Sequence, residues 1–344
     1  MRAVVFRERG RVEVTTVPEP VLVEPDDALV RVRRAAVCGT DLHLVQDPRD
    51  LATGSVLGHE YVGTVVDVGP AVRGIAAGDR VGGADFTACG HCWWCRRGDH
   101  WECAERQFFG TGATFGPALA GAQAELLRVP HAGTTLHVLP AGVSDDAAIF
   151  LGDVLATGYA AVQRAGLRVG DTIAIVGGGP VGQLTSLAAQ ASGAGPVVVV
   201  EPVAERRALA AAHGALAVTP KEARGLVDAV TSGRGADAVV DAVGAPVGID
   251  TALSLVRRRG TIVSAGVPTV DEWPLPITRA FADETTLRFV IGDAMRDRDQ
   301  LTALVETGVL DPTVVVSQVV DLEQAADAYA RMAARSTLKV LIRM

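Results

Sequence analysis

The sequence predicts an α/β protein in which an all-β module precedes a doubly wound parallel sheet. From Met1 to about Leu151, short β-rich runs are broken by glycine and proline, a pattern typical of short paired strands. From about Ala156 onward, alanine-rich helical segments alternate with compact apolar runs, which indicates βαβ units around a parallel sheet. The apolar runs that predict these strands are 172–176, 197–200, 238–240 and 261–265.

Changes in this pattern divide the chain into three segments. Residues 1–154 form the predicted β module, and residues 155–290 form the predicted parallel-sheet domain. Residues 291–344 contain a predicted helix that starts near Asp297, a second helix from about Leu322 and a final strand. The pattern alone leaves open where this C-terminal segment packs.

Composition excludes several classes of protein. The 344 residues are 49% hydrophobic and 21% charged, which suits two domains that each bury a core. A formal net charge of -8 argues against a nucleic-acid groove, which needs an excess of lysine and arginine. No window reaches the roughly 18 apolar residues of a membrane span, and the N-terminal alternation predicts a strand rather than a signal peptide. We therefore expect a cytoplasmic protein without nucleic-acid or membrane partners.

Four cysteines within fifteen residues predict a structural zinc site. They are Cys89, Cys92, Cys95 and Cys103, with two, two and seven residues between successive thiols. This spacing lets one loop surround an ion with four thiolates in tetrahedral geometry. Disulfides and a zinc knuckle that binds nucleic acid are the alternatives. The expected reducing compartment and the acidic net charge count against them.

A glycine-rich turn predicts dinucleotide binding. The turn consists of Gly177, Gly178, Gly179, Pro180, Val181 and Gly182. It follows a predicted strand and precedes a predicted helix, the context in which a GxGxxG motif holds a pyrophosphate at a helix N-terminus. An ordinary tight turn is the alternative for such a motif in a glycine-rich chain.

A carboxylate after the next apolar run favours NAD over NADP. Glu201 lies nineteen residues beyond Gly182, where a carboxylate can accept hydrogen bonds from the adenosine ribose and repel a 2′-phosphate. Arg206, five residues later, could meet a phosphate, but beside Glu201 we interpret it as a neighbour of the ribose or adenine. Ala265, at the end of a later predicted strand, completes the predicted cofactor-binding residues of this domain.

A second group of potential metal ligands precedes the cysteine cluster. Cys38 opens the segment Cys-Gly-Thr-Asp, and His59 follows twenty-one residues later within Gly-His-Glu. One thiolate and one imidazole form half of a metal site. Taken alone, each residue could equally be a buried free cysteine or a core histidine.

Together these motifs resemble the zinc-dependent medium-chain dehydrogenase/reductases, which include alcohol, polyol, threonine and formaldehyde dehydrogenases. The resemblance extends over nearly the whole chain, because the two metal motifs and the glycine turn occur in the family's order and spacing. It implies a GroES-like β domain that carries two zinc ions, a Rossmann domain, and a C-terminal segment that returns to the first domain. It also implies a homodimer or homotetramer.

The resemblance implies a catalytic zinc held by Cys38, His59 and Asp153. Many members have cysteine at the third position, four residues before Thr-Gly-Tyr, whereas this chain has Asp153 there, as formaldehyde-dehydrogenase-like relatives do. Glu60 matches a nearby carboxylate that binds the zinc in some members when water is displaced. Asp41 matches an acceptor that orients the imidazole of His59.

The resemblance also implies roles for the residues around the metal. An ion with three protein ligands keeps a fourth position for substrate and lowers the pKa of an alcohol there. Thr40 would accept the alcohol proton, and the path would continue through the nicotinamide ribose to His43, for which a plain surface histidine is the alternative. Thr157 matches a residue that orients the nicotinamide. Lys339 matches a basic residue at the cofactor pyrophosphate, although a strand-end lysine is usually just solvated.

We therefore expect an NAD-dependent enzyme with two zinc ions that interconverts a primary or secondary alcohol, or a polyol, and its carbonyl product. Asp153 leaves an aldehyde-oxidising, formaldehyde-dehydrogenase-like activity as the alternative within enzymes. A non-catalytic scaffold that binds zinc and dinucleotide is the alternative outside them, and an open metal site beside a proton relay counts against it. The segment Phe108–Gly121, rich in glycine, phenylalanine and alanine, is expected to line or cover a modest apolar substrate cleft.

Overall fold

The computed structural model describes residues 1–48 and 50–344. Its strands are β1 (Arg2–Glu8), β2 (Arg11–Thr16), β3 (Ala28–Val37), β4 (Tyr61–Val68), β5 (Arg80–Gly83), β6 (Phe108–Phe109), β7 (Ala118–Leu119), β8 (Leu126–Val129), β9 (Leu136–Val138), β10 (Ile173–Val176), β11 (Val197–Val200), β12 (Leu216–Val218), β13 (Ala236–Asp241), β14 (Val256–Ser264), β15 (Thr286–Phe289), β16 (Val316–Asp321) and β17 (Lys339–Arg343).

The α-helices are α1 (Gly39–Gln46), α2 (Ala132–Thr135), α3 (Asp145–Ala148), α4 (Val154–Ala165), α5 (Pro180–Ala191), α6 (Ala204–Ala212), α7 (Ala223–Thr231), α8 (Pro246–Leu255), α9 (Ile277–Ala282), α10 (Ala294–Glu306) and α11 (Ala325–Ala333). Short 3₁₀ helices occupy Cys95–Arg97, His100–Glu102, Ile149–Gly152, Pro312–Val315 and Leu322–Gln324. Among the described residues, no helix is both long and apolar enough to span a bilayer.

The first of two compact units combines Met1–Asp153 with Asp293–Met344. Its main sheet has the strand order β16-β17-β3-β4-β5-β9, and β8 also pairs with β3. Side chains of β3 alternate between core and surface over its first half and are all buried over its last three residues, where the strand enters the core. The C-terminal strand β17 pairs antiparallel with β3, so the end of the chain belongs to the same sheet as the N-terminal module.

The second unit, Val154–Gly292, contains a six-stranded sheet of order β12-β11-β10-β13-β14-β15. All five pairings are parallel, and every side chain of β10 and β11 is buried, as in sheets that helices cover on both faces. After β10 the chain proceeds outward through β11 and β12, then returns to the other side of β10 at β13. Open sheets of this order bind ligands at that reversal.

Three predicted elements differ from the structure. The first module is not all-β, because the N–H of Cys38 donates to the Asp41 carboxylate at 2.8 Å and this cap starts helix α1. Helix α5 begins at Pro180, inside the predicted glycine-rich turn rather than after it, since proline suits the first helical position. Strand β14 begins at Val256, five residues before the predicted start, where an arginine side chain of β14 pairs with a carboxylate of neighbouring β13.

Candidate functional site

The four cysteines of the predicted structural zinc site converge in the first unit. Their Sγ atoms all lie within 4.8 Å of one another. Gly90 and Gly98 have φ angles of 76° and 78°, which let the loop reverse twice around the thiols. The N–H of Cys95 donates to Sγ of Cys92 at 3.5 Å, and this hydrogen bond lowers the pKa of Cys92 to about 6. A compact set of four thiols that includes one acidic member suits a tetrahedral zinc ion.

The glycine turn of the second unit connects β10 to α5 in very little space. Gly177 has a φ of 102°, and a Cβ atom at Gly182 would lie 1.9 Å from the carbonyl oxygen of Gly177. Gly179 caps α5, and Pro180 occupies its first turn. The absence of side chains at these glycines therefore lets the N-terminus of α5 approach the end of β10, and such an N-terminus attracts a pyrophosphate.

Glu201 is fixed beside this turn at the end of β11. It is 4% exposed, and its Oε2 accepts the N–H of Gly178 at 2.6 Å while its Oε1 accepts the N–H of Val203 at 2.9 Å. Arg206 is half-buried, and its carbonyl oxygen accepts a hydrogen bond from Nε2 of Gln183 at 2.8 Å. The carboxylate and the arginine backbone are thus both tied to the glycine turn or to the helix that follows it.

Two further predicted cofactor residues lie in the same unit. The N–H of Ala265 donates to the carbonyl oxygen of Asp241 at 2.8 Å, which fixes Ala265 at the carboxyl end of β14, beside β13. Thr157 lies in the first turn of α4, and a Cβ atom at Gly292 would be 2.5 Å from its Oγ1. The backbone at Gly292 therefore lies close to the hydroxyl of Thr157.

Sheet pairing in the first unit brings the second group of metal ligands together. Cys38 follows β3, whereas His59 and Glu60 precede β4, and β3 and β4 pair antiparallel. Asp153 comes from the turn between the 3₁₀ helix Ile149–Gly152 and α4. Ligand atoms of these four residues all lie within 4.8 Å of one another. We call Cys38, His59, Glu60 and Asp153 the mixed-ligand cluster.

Three members of this cluster face one point. Oδ2 of Asp153 lies 3.5 Å from Sγ of Cys38 and 3.4 Å from Nε2 of His59. On the other side of the imidazole, Nδ1 lies 3.4 Å from Oδ1 of Asp41. His59 and Asp41 are both buried, so the ring is held between two carboxylates with Nε2 directed at the cluster.

Comparisons with known proteins identify the family of the chain. Family models described as alcohol dehydrogenase GroES-like domain and zinc-binding dehydrogenase match residues 24–141 and 180–307. A probable zinc-binding alcohol dehydrogenase of Mycobacterium tuberculosis is 38% identical over 337 residues, which are 98% of this chain and 86% of that protein. The chain belongs to the zinc-dependent medium-chain dehydrogenase/reductase family. Sorbitol dehydrogenase of Bacillus subtilis is 29% identical, over 96% of this chain and 93% of that protein.

A solved structure of this family has the same fold. The alcohol dehydrogenase from Thermus sp. ATN1 superposes with a TM-score of 0.96 and 38% identity, covering 100% of this chain and 99% of that one. The predicted GroES-like and Rossmann folds are therefore confirmed. As a member of this zinc-dependent family, the chain is an oxidoreductase of the alcohol dehydrogenase type.

The donors of the mixed-ligand cluster fit the zinc that the family implies. Burial and the carboxylates of Asp153 and Glu60 raise the pKa of Cys38 to about 11. Oε2 of Glu60 is buried with no hydrogen-bond partner in the described part of the chain. A divalent cation would favour the thiolate and satisfy this oxygen. A thiolate, an imidazole and a carboxylate are together a suitable ligand set for zinc.

Electrostatics also favour an ionised Asp153. Burial opposes this ionisation, but the hydrogen bond and charge of His59 outweigh it and lower the pKa of Asp153 to about 2. Burial lowers the pKa of His59, but the charge of Asp41 and the hydrogen bonds to Asp153, Asp41 and Cys38 together raise it, so that the pKa lies well above its ordinary value. Aspartate at the position where many family members have cysteine is therefore a negatively charged oxygen donor.

Lys339 contacts a carboxylate of the mixed-ligand cluster. Because β17 pairs with β3, Nζ of Lys339 contacts the Glu60 carboxylate, and both side chains are buried. Burial raises the pKa of Glu60 to about 7, and the ammonium of Lys339 opposes that rise. The pair offsets part of the cost of burying each charge, and it holds Glu60 at the edge of the cluster.

Helix α1 carries the two residues of the predicted proton path. Thr40 and His43 lie one helical turn apart and so share a face. Oγ1 of Thr40 is 3.9 Å from Sγ of Cys38, whereas His43 is exposed. The helix therefore leads from the mixed-ligand cluster to solvent.

An aromatic group packs beside the cluster. Phe108 contacts the imidazole of His59 edge-on, with ring centroids 5.3 Å apart, and Phe115 lies 5.3 Å from Phe108. Both residues belong to the segment predicted to line a substrate cleft. Phe86 and Trp101 pack against Phe108 as well, although the sequence pattern does not single them out, because lone aromatic residues in a loop have no periodicity.

Proposed function

We propose that the chain catalyses the reversible oxidation of a primary or secondary alcohol, or of a polyol, with NAD as the hydride acceptor. The observation that carries the proposal is the convergence of Cys38, His59 and Asp153 on one point, with the hydroxyl of Thr40 beside the thiol. A protein that only binds metal has no need for a proton acceptor next to an open position.

In this proposal some residues bind the metal and others transfer the proton. When bound, zinc supplies a Lewis acid for the alcohol oxygen, and NAD supplies a hydride acceptor. Cys38, His59 and Asp153 would hold the metal, and Asp41 would keep Nε2 of His59 directed at it. Oγ1 of Thr40 would accept the hydroxyl proton, and the imidazole of His43 would pass a proton to water at the surface.

The Glu201 carboxylate supports NAD as the cofactor. Two backbone N–H groups fix it next to the glycine turn, so it has little freedom to withdraw from a 2′-phosphate. A fixed carboxylate at this place accepts ribose hydroxyls and repels the extra phosphate of NADP. We expect a ratio of kcat/KM that favours NAD over NADP, and an inverted ratio would contradict this assignment.

The proposal includes two zinc ions per chain, a homodimer or homotetramer, and a reducing, cytoplasmic compartment. The two ligand groups support the metal count, and thiol ligands need reducing conditions to persist. Edge strand β15 supports self-association, because Phe289 on it is 68% exposed and edge strands tend to pair. Sedimentation velocity would detect the oligomer, and a monomer at micromolar concentration would contradict it.

Metal analysis combined with a substrate panel tests the function. Purified protein is assayed for zinc, and its nicotinamide absorbance is followed with primary alcohols, secondary alcohols, polyols and formaldehyde. We expect about two zinc ions and turnover of alcohols with NAD. Cys103→Ser is the matched control for the structural site and should remove about one ion. Absence of zinc, or turnover of formaldehyde alone, would contradict the proposal.

A further inference from the structure

A buried glutamine connects the C-terminal segment to the surroundings of the mixed-ligand cluster. Gln123 lies in the loop before β8 and is fully buried. Its Oε1 accepts a hydrogen bond at 2.9 Å from the hydroxyl of Tyr329, a buried residue of helix α11. Its Nε2 donates to the carbonyl oxygen of Ala36 at 2.9 Å and to Oδ2 of Asp41 at 3.3 Å. Both ends of the amide therefore have partners in the core.

These partners determine which end of the amide faces which neighbour. A carbonyl oxygen and a carboxylate only accept hydrogen bonds, so the amide nitrogen of Gln123 faces Ala36 and Asp41. Its oxygen then faces Tyr329, whose hydroxyl is the donor. Burial and the charge of Asp41 raise the pKa of Tyr329 well above its ordinary value, so the hydroxyl keeps its proton. Successive donors therefore point from Tyr329 through Gln123 to Asp41.

Asp41 connects the glutamine to two ligands of the cluster. Its Oδ2 also accepts the N–H of Cys38 at 2.8 Å, so two donors hold this oxygen in place. Its Oδ1 lies 3.4 Å from Nδ1 of His59, and neither of these two atoms has a hydrogen-bond partner elsewhere in the described part of the chain. A proton on Nδ1 that faces this carboxylate leaves the lone pair of Nε2 for a metal ion.

Close packing holds the same glutamine against the segment that carries His59. A Cβ atom at Gly58 would lie 2.4 Å from Cγ of Gln123, so the glutamine side chain lies directly on the backbone that precedes His59. The N–H of Gln123 also donates to the carbonyl oxygen of Leu57 at 2.9 Å. Gln123 therefore supports His59 in two ways, through the carboxylate of Asp41 and through the backbone before the histidine.

We propose that Gln123 and Tyr329 are positioning residues that hold His59 in the orientation in which it binds zinc. The inference rests on the proposed function, because it concerns the metal of the mixed-ligand cluster. Tyr329 acts through Gln123, and Gln123 acts through Asp41 and the backbone of Gly58. Helix α11 thus supports a metal site whose ligands all come from the N-terminal part of the chain. Partners behind a metal ligand typically contribute about 10-fold to 100-fold in metal affinity.

The rate of zinc release tests the proposal at the metal itself. Tyr329→Phe keeps the ring and removes the hydroxyl, so Oε1 of Gln123 loses its donor. Zinc-loaded protein is mixed with an excess of a coloured chelator, and absorbance follows the release of zinc. Cys38→Ser and Cys103→Ser, each expected to lack one of the two ions, assign the phases of release. In Tyr329→Phe we expect release from the mixed-ligand cluster to accelerate by about tenfold or more, with release from the four cysteines unchanged.

A second substitution tests whether the hydroxyl acts through the glutamine. Gln123→Met keeps the length of the side chain and removes both polar ends of the amide, so release from the cluster should accelerate at least as much. The double variant should then release zinc like Gln123→Met alone, because the tyrosine has already lost its partner. If the two accelerations multiply in the double variant, Tyr329 acts independently of Gln123 and the proposal is wrong.

Tyr61→Phe is the matched control for the loss of a buried hydroxyl. The hydroxyl of Tyr61 is buried in the same unit, and within residues 1–48 and 50–344 it has no hydrogen-bond partner. Its removal should leave zinc release from both sites close to that of the wild type. Equal acceleration at both sites in Tyr329→Phe would show a general loss of structure, and unchanged release from the cluster would show that the hydroxyl does not support it. Either result would overturn the proposal.

The outcomes separate this inference from the function on which it rests. If the wild type retains two zinc ions but oxidises no alcohol with either nucleotide, the proposed function fails, and zinc release from Tyr329→Phe still decides the positioning role. If the wild type oxidises an alcohol and Tyr329→Phe retains zinc equally well, the proposed function stands and the positioning role fails. If the wild type holds no zinc at the mixed-ligand cluster, both fail.

Discussion

At the scale of single residues, the charges that surround the mixed-ligand cluster balance one another. Lys339 and Glu60 form a buried pair, and the removal of either partner leaves an uncompensated charge in the core. Asp41 and Asp153 lie on opposite sides of His59. Changes of one residue should therefore affect stability as well as chemistry, and paired changes are needed to separate the two.

Replacement of Lys339 by methionine tests the buried pair. Lys339→Met leaves the Glu60 carboxylate buried without its ammonium partner, so the free energy of unfolding should fall by about 3 to 5 kcal/mol. Denaturant unfolding of zinc-loaded protein measures this loss. The double variant with Glu60→Gln should recover much of the stability. If the two single losses simply add in the double variant, the residues are not coupled.

His137 makes stability depend on pH. Burial, together with the nearby Arg298 guanidinium, lowers the pKa of His137 from 6.5 to about 4. Between these values the unfolded chain binds more protons than the folded one, so its contribution to stability is present above pH 6.5 and is lost as the pH falls toward 4. From pH 7 to pH 5 we expect a loss of about 2 kcal/mol.

Unfolding curves of the wild type and of His137→Gln check this prediction. The variant lacks the titrating imidazole, so its free energy of unfolding should fall less over the same pH interval. Parallel pH profiles for the two proteins would mean that His137 titrates normally in the folded state.

At the scale of elements, two tight connections determine where the functional groups lie. The β10–α5 turn depends on glycine at position 182, because any Cβ atom there would collide with the carbonyl oxygen of Gly177. The β3–β4 pairing determines the distance between Cys38 and His59. Each connection therefore fixes the position of a local sequence motif within its fold.

Replacement of Gly182 by alanine tests the first connection. The added methyl group should separate α5 from β10, and the dissociation constant for NADH should rise by about tenfold or more. Fluorescence titration with NADH measures it. Gly225→Ala is the matched control, because Gly225 lies within α7 with open space around it and alanine there should be neutral or stabilising. An unchanged dissociation constant in Gly182→Ala would show that the turn tolerates a side chain.

Local patterns in the sequence predict some of these elements but not which distant residues come into contact when the chain folds. The glycine turn and the four cysteines are short motifs, and the residue types themselves indicate the chemistry. Cys38 and His59 lie apart in sequence, and only the antiparallel pairing of β3 and β4 joins them. The contact of Lys339 with Glu60 joins residues 279 positions apart, which no local pattern reveals.

At the scale of the whole molecule, the proposed chemistry is divided between the two units. All donors of both ligand groups belong to Met1–Asp153. The glycine turn and Glu201 belong to Val154–Gly292. Each unit has its own sheet and its own buried core. A change at the metal ligands should therefore leave the dinucleotide-binding unit folded and functional.

This division makes the turnover of Cys38→Ser the most direct test of the account. Serine keeps the size of the side chain but replaces the thiolate with a much weaker ligand for zinc. We predict that NAD reduction by an alcohol that the wild type oxidises falls by at least about a thousandfold, while the variant still binds NADH with nearly wild-type affinity. Turnover within about tenfold of wild type would contradict a catalytic metal at Cys38, His59 and Asp153.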